Sequence, residues 1–121
     1  MQVPQLYRRG VVRPLDDAAA TQLKNWDVET SIRTEWLPVL SDEHFAMIWE
    51  SGIFQRINEA CGSTISDYEE VVLTVSQLNA ALNVLNGMPL PNTADVSVFV
   101  QNLKAVMSQA IEAKTPLYFI F

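Results

Sequence analysis

The residues Val96, Phe99, Val100, Leu103, Val106, Met107, Ala110 and Ile111 recur at i, i+3, i+4 and i+7. An α-helix puts such a set on one face, and a helix with one apolar face has to bury it against another element. The spacing predicts a helix over 95–113, with Thr93 or Asp95 as its cap. Thr115-Pro116-Leu117-Tyr118-Phe119-Ile120-Phe121 follows, apolar at both alternating sets of positions. It reads as a strand covered on both faces. With a long one-faced helix beside a doubly covered strand, an α+β domain is expected.

Upstream signals add the other elements. Ser41-Asp42-Glu43 is a helix start, an N-cap serine followed by two acids. Phe45, Ile48 and Trp49 share a face, Gly52 interrupts, and Ile53, Phe54, Ile57 and Cys61 resume the spacing up to Gly62. One kinked helix or two consecutive ones are expected over 41–61, ending in a left-handed Gly62. Glu69–Leu73 turns from charged to apolar, as a strand entering a core would. Thr74-Val75-Ser76-Gln77 fits a capping box, with Ser76 as the other possible cap. Leu78, Ala81, Leu82 and Leu85 form the stripe of a helix over 75–87. Residues 88–93, with two prolines, form a loop. The order strand, helix, strand permits a right-handed crossover that makes 69–73 and 117–121 neighbours.

The first forty residues are less regular. Asp16–Lys24 reads as a short helix with acids first and lysine last, in agreement with the helix dipole. Gln5–Val12 is a short strand or an extended arm. Thr30–Leu37 is irregular or a short strand, limited by Pro38. The expected fold is three main helices packed with a small sheet that includes the C-terminal strand. At 121 residues it is expected to be a single domain over 1–121.

Charge narrows the partners. Asp27, Glu29, Glu35, Asp42, Glu43, Glu50, Glu59, Asp67, Glu69 and Glu70 lie between Trp26 and Glu70, against only Arg33 and Arg56. That segment carries the whole anionic excess of a chain whose net charge is −6. It argues against nucleic-acid and anionic-membrane partners, and suits capture of a basic protein. A single cysteine, no signal-peptide pattern and no apolar run of ~20 residues give the expectation of a cytoplasmic protein.

Chemical motifs are sparse. One histidine and one cysteine cannot build a zinc cluster of nitrogen and sulfur ligands. His44 and Cys61 would lie roughly 25 Å apart on a straight helix, and could form a nucleophilic pair only if Gly52 breaks the run sharply. The plainer readings are a surface polar residue for His44 and a small core residue for Cys61. No glycine pattern cradles phosphate. Adjacent acids such as Asp42-Glu43 point in different directions, so they are not a catalytic pair by sequence alone. No enzyme activity, metal or cofactor is expected. Trp49 shares a face with Phe45 and reads as core. Trp26 and Trp36 sit in charged, weakly periodic surroundings and are candidate contact residues.

The run Trp49-Glu50-Ser51-Gly52-Ile53-Phe54-Gln55-Arg56-Ile57-Asn58, the acidic turn Ser66-Asp67-Tyr68-Glu69-Glu70, and the helix leading to Pro116–Phe121 together resemble small bacterial immunity proteins. These accompany polymorphic or contact-dependent growth inhibition toxins. The resemblance covers roughly residues 41–121 and is one of layout. It implies a cognate toxin domain as partner, often a basic nuclease, bound in the cytoplasm and blocked at its active site or a nearby exosite. A monomer in a 1:1 complex is expected. The alternative is a non-toxin adaptor or regulatory protein-binding subunit, and a small carboxylate enzyme is a third reading. Asp42, Glu43 and part of Glu50 are explained by a helix start and a solvated helix face. The partner contact is therefore placed at Asp67, Tyr68, Glu69 and Glu70 with Glu59, and at Trp26 and Trp36.

Overall fold

The computed structural model describes residues 10–25, 34–39, 41–66, 71–89 and 93–120. Their elements run β1 (Gly10–Pro14), α1 (Asp17–Asn25), β2 (Thr34–Pro38), α2 (Asp42–Glu50), α3 (Ile53–Cys61), β3 (Val71–Leu73), α4 (Val75–Gly87), α5 (Ala94–Ala113) and β4 (Leu117–Ile120). The fold is α+β, with a four-stranded antiparallel sheet in the order β2-β1-β4-β3. The C-terminal strand lies inside that sheet.

The register sorts the strand residues into two rows. Leu37, Val11, Phe119 and Val71 align across all four strands on one face. This row joins the main core with α2, α3, α4 and α5. Trp36, Val12, Tyr118 and Val72 align on the other face. There Leu23 of α1 packs on Val12, Tyr118 and Ile120. The Tyr118 hydroxyl donates to the Ala20 carbonyl of α1 at 3.4 Å. Every residue of β4 is buried, as expected for a strand covered on both sides.

The helix starts follow the sequence closely. The Ser41 hydroxyl accepts the His44 amide at 3.0 Å. The Asp16 carboxylate accepts the Ala19 amide at 2.8 Å. Thr74 and Gln77 form the full capping box, so Thr74 and not Ser76 is the cap. The 41–61 stretch is two helices, broken at Gly52, whose φ of 85° belongs to the left-handed region. The Gly62 end of α3 is also left-handed. The break turns the two apolar faces toward each other. Phe54 stacks on Phe45 with centroids 6.2 Å apart, and Phe99 of α5 meets Phe54 edge-on at 6.4 Å. Phe54 is fully buried, so its ring is worth about 3–5 kcal/mol to the fold.

The expected crossover is corrected. The strands β3 and β4 are neighbours, but antiparallel, so no crossover joins them. Two helices, α4 and α5, lie between them and pack on each other. A pair of antiparallel helices returns the chain to the end it left, and the next strand must then run the opposite way. Of the two readings for Thr30–Leu37, the short strand is the one found: Thr34–Pro38 forms β2 and ends on its proline. The edge position of β2 tolerates a residue without an amide hydrogen. Among the described residues no helix is long and apolar enough to cross a membrane.

Candidate functional site

Of the residues expected to meet a partner, Trp26, Asp67, Tyr68, Glu69 and Glu70 lie outside the described residues. What can be placed is the frame on either side of residues 67–70. Asn58 near the end of α3 organises it. Its side-chain oxygen accepts the Ile65 amide at 2.8 Å and the Ser63 hydroxyl at 2.7 Å. Its amide nitrogen donates to the Ile65 carbonyl at 3.0 Å. Ile65 is buried before residues 67–70, and Val71 is paired in β3 after them. Both ends of the acidic segment are thus anchored. Asn58 carried no visible signal in the sequence, because its partners are set by the path of the chain after α3.

Glu59 follows Asn58 and is exposed. Trp36 is 37% exposed on the edge strand. Part of its ring is committed to the fold, since it lies against the bare Cα of Gly10 on β1. Val72 at the opposite end of the same row is also exposed, at 43%. The short α1 covers the middle of that face.

The acids fall into two classes. Glu35 pairs with Arg13 at 3.2 Å, directly across the β1–β2 register, and is withdrawn from the free anionic surface. Glu43, Glu50, Glu59 and Asp95 are exposed and enter no ion pair among the described residues. Three of these four lie within the acidic middle segment, and Asp95 is added from α5.

His44 is corrected from a surface residue to a buried one. It is 7% exposed and meets Phe99 edge-on, with centroids 5.9 Å apart. The apolar face of α2 is wider than the Phe45, Ile48, Trp49 set suggests. His44 lies one turn before Ile48, and α5 packs over both. Cys61 is half-buried, and its thiol donates to the Gln77 carbonyl at 3.2 Å. Burial pushes this thiol above its ordinary pKa, which disfavours the nucleophilic thiolate. Cys61 instead serves packing, because the Gln77 side chain donates back to its carbonyl at 3.3 Å and ties α3 to α4.

His44 is also part of a feature that sequence reasoning missed. Leu37 and Pro38 of β2, His44 of α2, and Asp95, Val98, Phe99 and Asn102 of α5 line a groove of about 260 Å³. Its lining is largely apolar, with Asp95 as its carboxylate. Val98 is the one sequence clue. It lies off the buried stripe of α5 and is 55% exposed.

No family model matches the chain, and no curated protein sequence does. Among solved structures, the Neisseria DNA mimic protein DMP12 has the same fold, with a TM-score of 0.65 over 93% of this chain and 99% of that one. The sequences are 13% identical, so the likeness is one of backbone arrangement.

Proposed function

We propose that this chain acts by binding: it captures a basic protein that normally handles nucleic acid, and it inhibits that protein by offering carboxylates where phosphates are expected. The observation that carries the reading is the pairing of a net charge of −6 with the fold of a DNA mimic protein. The exposed carboxylates Glu43, Glu50, Glu59 and Asp95 supply part of the required field. Such a surface steers a basic partner and repels nucleic acid itself.

Two partners fit this chemistry. The fold likeness favours a DNA-binding protein. The layout of residues 41–121 favours a cognate toxin nuclease held by an immunity protein. Both readings have the chain inhibit without catalysis, and both put it in the compartment where nucleic acid is handled.

The test starts from tagged protein incubated at low salt with a nuclease-treated extract of the source cells. Captured proteins are identified, purified and bound to a labelled DNA duplex. The expected result is displacement of the duplex by this chain in a 1:1 complex. A captured nuclease whose activity is abolished supports immunity, and a captured structural or regulatory DNA-binding protein supports mimicry. Capture of neutral or acidic proteins only, or a captured protein whose DNA is not displaced, would overturn the proposal.

A further inference from the structure

We infer that the groove between β2, α2 and α5 receives an arginine side chain of the basic partner. This rests on the basic-partner reading above and names where that partner is anchored. Size is the first argument. A volume of about 260 Å³ lies below the ~300–1,000 Å³ usual for small-molecule pockets. It suits one long side chain better than a cofactor.

Chemistry is the second argument. The walls contributed by Leu37, Pro38 and Val98 are apolar, and Val98 stands 55% exposed among them. A long aliphatic stem would cover that surface. The rim carries Asp95, which has no ion-pair partner among the described residues, and the amide of Asn102. A stem that is apolar and a head that is cationic match this division. The guanidinium is favoured over an ammonium for two reasons. It is more weakly hydrated, so an apolar groove costs it less, and its planar fork matches a carboxylate with two parallel hydrogen bonds.

Asp95 is the decisive group. The first turn of α5 brings a partial positive charge to the same rim, which by itself would repel a cation. The Asp95 carboxylate reverses that sign. Removing its charge should therefore cost more than removing a carboxylate elsewhere on the surface.

The experiment uses hexa-arginine and hexalysine as probes, each titrated at low salt into the full-length ¹⁵N-labelled protein. Hexa-arginine is expected to shift the amide signals of Val98, Phe99 and Asn102, and to do so at lower concentration than hexalysine. Asp95→Asn should weaken this binding about tenfold. Asn102→Trp, at an exposed position, should plug the groove and abolish the shifts while the remaining spectrum stays unchanged. Equal groove shifts from both peptides would overturn the choice of arginine. Shifts confined to other acidic regions, with the groove silent, would overturn the groove and leave the basic-partner reading standing. No binding of either peptide would count against both.

Discussion

Gly10 shows how a single missing side chain can hold a sheet edge together. Its φ is 153°, and an added Cβ would meet the Trp36 indole nitrogen at 2.5 Å and collide with the Leu37 carbonyl. Neither obstacle is a free-ended side chain, since the carbonyl belongs to the ladder and the indole fills the surface of the sheet. Gly10→Ala is expected to destabilise the protein by on the order of 2–3 kcal/mol, read as a lower urea midpoint. An unchanged midpoint would mean that Trp36 swings away freely. Tyr118 gives a pH signature. Burial raises its pKa above the usual tyrosine value. A raised folded-state pKa adds stability that is fully present below the unfolded value of about 10. That contribution is lost as pH rises through the higher folded value. Tyr118→Phe keeps the ring against Val12 and Leu23 and removes the ionisation. Its stability should fall less steeply than wild type between pH 9 and 11, on the order of those pKa values. Equal slopes would remove Tyr118 as the cause.

At the scale of elements, helix ends decide what could be read in advance. The bounds of α4 were legible because Thr74 and Gln77 satisfy each other's backbone amides locally, at 3.4 and 3.0 Å. Thr74→Ala should cost about 1 kcal/mol by urea denaturation. The end of α5 is a different case. Lys114 adopts φ 59° while the Thr115 amide donates to the Ala110 carbonyl, five residues back, at 2.9 Å. That bond pattern usually employs glycine, which α3 has at Gly62. Lys114→Gly should therefore raise stability by about 1 kcal/mol in the same assay, opposite in sign to Thr74→Ala. The α5 stripe and the doubly buried β4 were legible for the same local reason, since each period is written in consecutive residues. The β2 strand was obscured because Pro38 reads as a breaker until its edge position is known. The antiparallel pairing of β3 with β4 follows from the two helices between them, which the crossover reading treated as one. The groove draws on three elements far apart in sequence, so only Val98 hinted at it. The acidic excess was fully visible as charge. Yet no sequence pattern could tell that Glu35 is neutralised across the sheet while Asp95 stands open.

For the whole molecule, charge and topology act on different processes. Glu43, Glu50, Glu59 and Asp95 are exposed, so replacing all four by the corresponding amides should lower thermal stability only by the loss of the first-turn charges Glu43 and Asp95, about 0.3–1 kcal/mol each. The association rate with a basic partner should drop about tenfold or more at low ionic strength. Wild type and variant should converge as added salt shortens the Debye length below 10 Å or so. Stopped-flow kinetics over a salt series measures this, and a persistent gap at high salt would assign the loss to contact geometry instead of steering. The place of β4 bears on how the chain reaches this state at all. It follows the other described elements in sequence, yet it fills the slot between β1 and β3, and Gly10 is paired with Ile120. A ribosome therefore releases β1, β2 and β3 before the strand that unites them. The β1–β2 pair and the helical pair α4–α5 are free to form early, whereas β3 lacks its ladder neighbour until β4 has emerged. Closure between Gly10 and Ile120 joins residues far apart in sequence, which raises the contact order and slows this step. In the interval, the row Leu37, Val11 and the unpaired edge of β1 are exposed to other nascent chains, which is where a holdase chaperone would engage.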